Sequence, residues 1–100
     1  MMHNTLIDYY RALEAASISM LEAARNDDWD GVVRFEGTCA VLIEQLRFAS
    51  TSQELPAGQR AEKSGIMRRI LANDAQIRYL AEPWMGHLEK KLEGLQHMLH

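Results

Sequence analysis

The feature of this chain that most restricts its fold is an apolar stripe: Ile66, Ile70, Ile77, Leu80, Trp84, Leu88, Leu92, Leu95 and Leu99. Residues three and four apart share one face of an α-helix, and the stripe keeps that phase across Pro83. Proline has no backbone N–H, and its ring presses on the preceding turn, so the helix should kink there. No Ser/Asn/Gly loop flanks Pro83 to reverse the chain. The stripe therefore predicts one long helix over about 57–99, kinked near Pro83, instead of two helices joined by a turn. Asp74 and Arg78 stand four apart within it, where opposite charges can pair along the surface.

Two shorter helices precede it. Thr5 followed three residues later by Asp8 has the spacing of a capping box, with Asp in place of Glu. From there Leu6, Tyr9, Tyr10, Leu13, Ala16, Ser17, Met20, Leu21 and Ala24 form a helical stripe, with Ile7 and Ile18 outside it. Arg25-Asn26-Asp27-Asp28 ends this helix: Asn26 suits a left-handed C-cap, and Asp28 can cap the next helix. The second helix should run from Trp29 to about Ala49. Val32, Phe35, Cys39, Leu42, Ile43 and Leu46 form its buried face, Trp29, Val33 and Ala40 widen it, and Val41 and Phe48 fall off it. Glu36 lies inside that face, where a carboxylate needs a partner on another helix. The run STSQELP, residues 50–56, has loop composition.

The expected fold is all-α. It is one domain over residues 1–100, an antiparallel bundle of three helices at about 5–26, 29–49 and 57–99. At 1.5 Å per residue the first two helices span roughly 30 Å and the third roughly 60 Å. The third should outrun the bundle beyond about Glu82. Trp84, Met85, Leu88, Leu92, Leu95, Met98 and Leu99 continue the apolar stripe past that point. A solvated stripe of that size is unusual on a monomer and calls for a cover: a second copy, a folded-back helix or a partner protein.

Composition narrows the function. A net charge of −3 and a pI near 5.7 oppose a nucleic-acid surface. The single cysteine, Cys39, can form neither an intramolecular disulfide nor a cysteine metal cluster, and it fits a reducing compartment. On the predicted core face it is expected to act as a small hydrophobe. MMHNTLIDYYRALEA lacks the basic and continuous apolar regions of a signal peptide, and no run reaches membrane-span length. A soluble cytoplasmic protein is expected. His97 and His100 are three apart, but no Glu-x-x-His pair accompanies them, so no metal site is expected. The basic run Arg60, Lys63, Arg68 and Arg69 reads as a solvated helix face. No nucleophile elbow, phosphate loop or catalytic carboxylate pair is present, and the expectation is a non-enzyme without cofactor. One rival chemistry stands. His87-Leu88-Glu89-Lys90-Lys91 is similar to the His-x-x-Lys-Gly motif of helical phosphotransfer domains, with Lys91 in place of the glycine.

Asp28-Trp29-Asp30 opening a helix that carries Glu36, together with Asp74-x-x-Ile77-Arg78-x-Leu80-x-x-Pro83, resembles the FliT family of flagellar export chaperones. The resemblance covers about Leu21 to Leu95. It implies a cytoplasmic chaperone that binds the filament-cap protein, FliD, before type III export and keeps it unassembled. It further implies contacts with the export ATPase complex, the export gate and the flagellar master regulator FlhDC. Longer members carry a further C-terminal helix that restrains the binding surface, whereas this sequence stops at His100. The overshooting stripe and the resemblance meet on one surface. Ile77, Leu80, Trp84, Met85, Leu88 and Leu92 are expected to receive an amphipathic helix of the client, with Arg78 orienting it. The alternatives are a phosphotransfer module using His87 and a self-associating helical adaptor, a homodimer without a client.

Overall fold

The computed structural model describes the backbone of residues 5–99 and the side chains of residues 5–83. It contains α1 (Leu6–Arg25), α2 (Trp29–Ser50) and α3 (Arg60–Leu99), with a 3₁₀ turn at Ala57–Gln59 leading into α3. The expected boundaries hold to within three residues. Pro83 lies inside a continuous α3, as the unbroken phase of the stripe implied.

The Asp8 carboxylate fixes the start of α1. It accepts the Thr5 N–H at 3.1 Å and the Thr5 hydroxyl at 2.8 Å. These bonds favour the charged form and hold Asp8 below the usual carboxylate range, with Arg11 adding a smaller attraction. The α1–α2 turn differs from expectation by one residue. Asn26 has φ −95, and Asp27 takes the left-handed position at φ 57. The Asp27 N–H donates to the Ala24 carbonyl at 3.2 Å and the Asp28 N–H to that of Ala23 at 2.8 Å. This paired closure is a Schellman turn, which puts the left-handed residue just after the cap. Asp28 then caps α2, its Oδ1 accepting the Gly31 N–H at 3.0 Å.

The helix arrangement decides what is buried. α1 packs against both α2 and α3, while α2 and α3 scarcely meet. Flanked on two sides, α1 buries a wider arc than a single stripe. Ile7, expected outside the stripe, is therefore 2% exposed and among the most enclosed side chains. Helix α2 has a neighbour on one side only, and its buried residues are Gly31, Val32 and Ala49. Val33 and Ala40, expected to widen its core face, are exposed. Ile18, Val41 and Phe48 are exposed, in line with the pattern. The core at the α1–α2 turn joins Leu21, Ala23, Ala24, Val32 and Ile77, with Met20, Trp29 and Phe35 packed on it.

Polar ties set the α1–α3 register. The Arg11 guanidinium grips both oxygens of Glu62 at 2.7 and 2.9 Å. Arg69 pairs with Glu14, so this member of the basic run is tied to α1 instead of being merely solvated. Asn73 donates to the buried Ser17 hydroxyl at 3.0 Å, and Arg25 donates to Gln76 at 2.8 Å. Partners climb both helices together, so α3 runs parallel to α1. Helix α1 ends near the level of Gln76, whereas α3 has 40 residues against 20 and 22 for the others. Its C-terminal part projects beyond the bundle, and the molecule measures 57 Å along its long axis.

Candidate functional site: an open groove between α2 and α3

The same arrangement leaves one side of the bundle open. Among the described residues, no side-chain hydrogen bond or ion pair joins α2 to α3. Their facing sides instead border a groove floored by α1. It has two sections that share Cys39 and Ile70.

The section nearer the α1–α2 turn, about 440 Å³, has Val32 and Glu36 on the α2 wall and Leu71, Asp74, Ile77 and Arg78 on the α3 wall. Ser17 and Met20 form its floor. The other section, about 370 Å³, is bordered by Ile43, Leu46 and Arg47 of α2 and Met67 of α3, over Leu13. Apolar side chains make up most of both walls, with a few charged groups on the rim. Grooves of this composition receive amphipathic helices. From Val32 to Arg47 the α2 wall spans about 22 Å, room for roughly four helical turns.

Each expected binding residue finds a definite place or lies outside the described side chains. Ile77 is 8% exposed, a core residue whose edge also borders the groove. Arg78 is exposed and donates to Asp74 at 3.0 Å, the pairing expected from their spacing. Both stand on the groove rim. Leu80 does not join them. It lies with Arg25, Ala75, Gln76 and Tyr79 around a separate hollow of about 300 Å³. The side chains of Trp84, Met85, Leu88 and Leu92, and of His87, His97 and His100, lie outside the described residues.

The residues that the expectation missed are Cys39, Ile43, Leu46, Met67, Ile70 and Leu71. Cys39, Ile43, Leu46 and Ile70 had been placed in apolar stripes read as core, and Leu71 had no role. Ile43 is in fact 40% exposed and Leu71 63%. Their signal was available in part: α2 carries a full apolar face, but with α1 alone beside it that face cannot be wholly covered. Cys39 sits where the two sections meet, and burial, with a smaller contribution from nearby Glu36, pushes its thiol pKa up. A protonated thiol here contributes apolar surface and little nucleophilicity. Glu36 has no ion pair among the described residues, so its expected partner on another helix is not found there. No group of His, Cys, Asp or Glu among the described residues could hold a metal ion. No helix among them is long and apolar enough to cross a membrane.

The model of the family described as flagellar protein FliT matches residues 7–99. A flagellar protein FliT of Photorhabdus laumondii is 26% identical over 88 residues, which cover 88% of this chain and 70% of that protein. No solved structure matches the chain significantly.

Proposed function

The chain belongs to the FliT family of flagellar proteins, and from that premise we propose that it binds the filament-cap protein FliD in the cytoplasm and holds it unassembled before type III export. FliT is a family of chaperones and not of enzymes. The finer reading is that an amphipathic helix of the cap protein lies in the α2–α3 groove and continues along the projecting part of α3. The first contact set is Ile43, Ile70, Leu71 and the edge of Ile77, with Arg78 at the rim. Trp84, Met85, Leu88 and Leu92 extend it. Contacts with the export ATPase complex, the export gate and the master regulator FlhDC belong to the same proposal.

The observation that supports this reading is the open groove itself. Three helices leave α2 and α3 unjoined over four turns, with apolar side chains lining the gap. A helix laid there would complete a four-helix arrangement and remove that surface from water. A client segment held in this way is withheld from its own assembly contacts, which is what an export chaperone must achieve.

The test uses the C-terminal segment of the cap protein from the same bacterium, titrated against the wild type, Leu71→Asp, and a Trp84→Ser/Leu88→Ser double variant. Circular dichroism of each variant provides the folding control. Binding should be lost with Leu71→Asp and weakened with the double variant. Undiminished binding by both, at unchanged helix content, would sink the proposal. Solution mass with and without the segment then separates a client site from a self-association surface: a tight homodimer that excludes the segment would overturn it as well.

A further inference from the structure

We infer that the groove reads charge as well as shape: Glu36 at one end is placed to receive a lysine or arginine of the docked helix, while Arg47 at the other end receives an acid. This rests on the groove being the client site and adds the chemical character and register of the occupant.

The charge arrangement carries the inference. The lining of the section near the α1–α2 turn includes two carboxylates, Glu36 and Asp74, and a single guanidinium, Arg78. Arg78 is committed to Asp74 Oδ2 at 3.0 Å, leaving Glu36 with no ion-pair partner among the described residues. The other section has Arg47 as its charged rim residue, held by Glu44 of the same helix at 3.2 Å. One end of the groove therefore carries surplus negative charge, and the other presents a guanidinium. The walls between them are apolar and repeat at helical spacing. An apolar helix could slide along such walls by a turn, or enter in either direction, at little cost. Glu36 at one end and the Arg47 guanidinium at the other, with Glu44 behind it on the same helix, remove that freedom, because a slipped or reversed occupant sets like charges together.

The spacing makes the recognition element specific. Glu36 and Arg47 are eleven residues apart on one helix, which is about 16 Å. The matching occupant is an amphipathic helix of roughly four turns with Lys or Arg near one end and Asp or Glu about three turns away. Glu36 precedes Cys39 by one turn, so a cation seated against it brings the occupant over the thiol.

The experiment titrates the cap protein's C-terminal segment against the wild type, Glu36→Gln and Glu36→Lys at low and high sodium chloride. The rate at which Cys39 reacts with iodoacetamide reports occupancy. Glu36→Gln should weaken binding about fivefold at low salt and flatten the salt dependence. Glu36→Lys should weaken it further, and changing the matching lysine or arginine of the segment to glutamate should restore it. Equal affinity and an equal salt slope in Glu36→Gln would overturn the inference. Leu71→Asp separates the two levels. If it abolishes binding while Glu36→Gln changes nothing, only the charge reading fails. If binding survives Leu71→Asp while Cys39 reacts as fast with the segment as without it, the groove is not the site and both readings fall.

Discussion

The turn between α1 and α2 shows how much a few atoms decide. Asp28 caps α2 through Gly31, and an added Cβ on Gly31 would lie 2.3 Å from Asp28 Oδ2 and 3.2 Å from the Ala23 Cβ. The cap carboxylate can swing away, but Ala23 is buried in the α1–α2 contact. Gly31→Ala should therefore lose the cap bond and strain the helix approach, even though alanine is the better helix former. A loss of about 1–2 kcal/mol is expected in urea unfolding, against about 1 kcal/mol for Asp28→Ala, which removes the cap alone. Equal or greater stability of Gly31→Ala would contradict the close approach. Asp8 gives a pH signature at the other end of α1. Its carboxyl is held below the ordinary range by the Thr5 hydroxyl and N–H. The folded-state value is thus lower than the unfolded one. The stabilisation is present above the unfolded pKa of about 4 and fades as pH falls through the lowered folded value. Thermal melts between about pH 2 and 5 should be less steep in pH for Asp8→Asn than for the wild type. Identical slopes would show that the Thr5 contacts contribute nothing.

At the scale of elements, the helices differ in how fully their neighbours complete them. Gly37, midway along α2, has open space where a Cβ would stand. Replacing it with alanine removes the conformational entropy cost of glycine without a clash, so Gly37→Ala should stabilise the chain by about 0.5–1 kcal/mol in denaturant titration. A destabilised variant would mean that this face of α2 is covered in solution. Local chemistry was easy to read from the residues: the Thr5–Asp8 start, the Asp28 cap, the loop before Pro56 and the Asp74–Arg78 pair are where spacing puts them. The uninterrupted α3 was equally legible, because phase across Pro83 is a property of one segment. Failures came where burial depends on another helix. Ile7 is enclosed because α1 has two neighbours, and Val33 is 65% exposed because α2 has only one. The groove belongs to this second kind. Its lining was read as core, since a periodic apolar face does not reveal whether a neighbour covers it. Leu80 was grouped with Ile77 by the phase of the apolar stripe, yet α3 places it with Arg25 and Tyr79 around a separate hollow.

For the whole molecule, stability and binding should reside in separable sets of apolar residues. The α1 side of α3 contributes Ile66, 1% exposed, and Ile77, while the groove side contributes Leu71, 63% exposed. Truncating Ile66 to alanine leaves a cavity among packed neighbours and should cost about 3 kcal/mol. Leu71→Asp removes no enclosed contact and places its carboxylate on an already solvated rim. Its unfolding midpoint should stay within about 0.5 kcal/mol of the wild type. The cap-protein segment should reverse that ranking. On the proposed function it binds the folded chain alone, so at a concentration one hundred times its Kd it should stabilise the wild type by about 2.7 kcal/mol. Ile66→Ala should receive nearly the same increment, since its groove walls remain, whereas Leu71→Asp should receive almost none. Melting curves of the three proteins with and without the segment measure both quantities at once. If the segment stabilises Leu71→Asp as much as the wild type, the client does not use the α2–α3 groove. If Ile66→Ala alone loses the increment, recognition depends on the packed α1–α3 seam, and the open side of the bundle must serve another purpose.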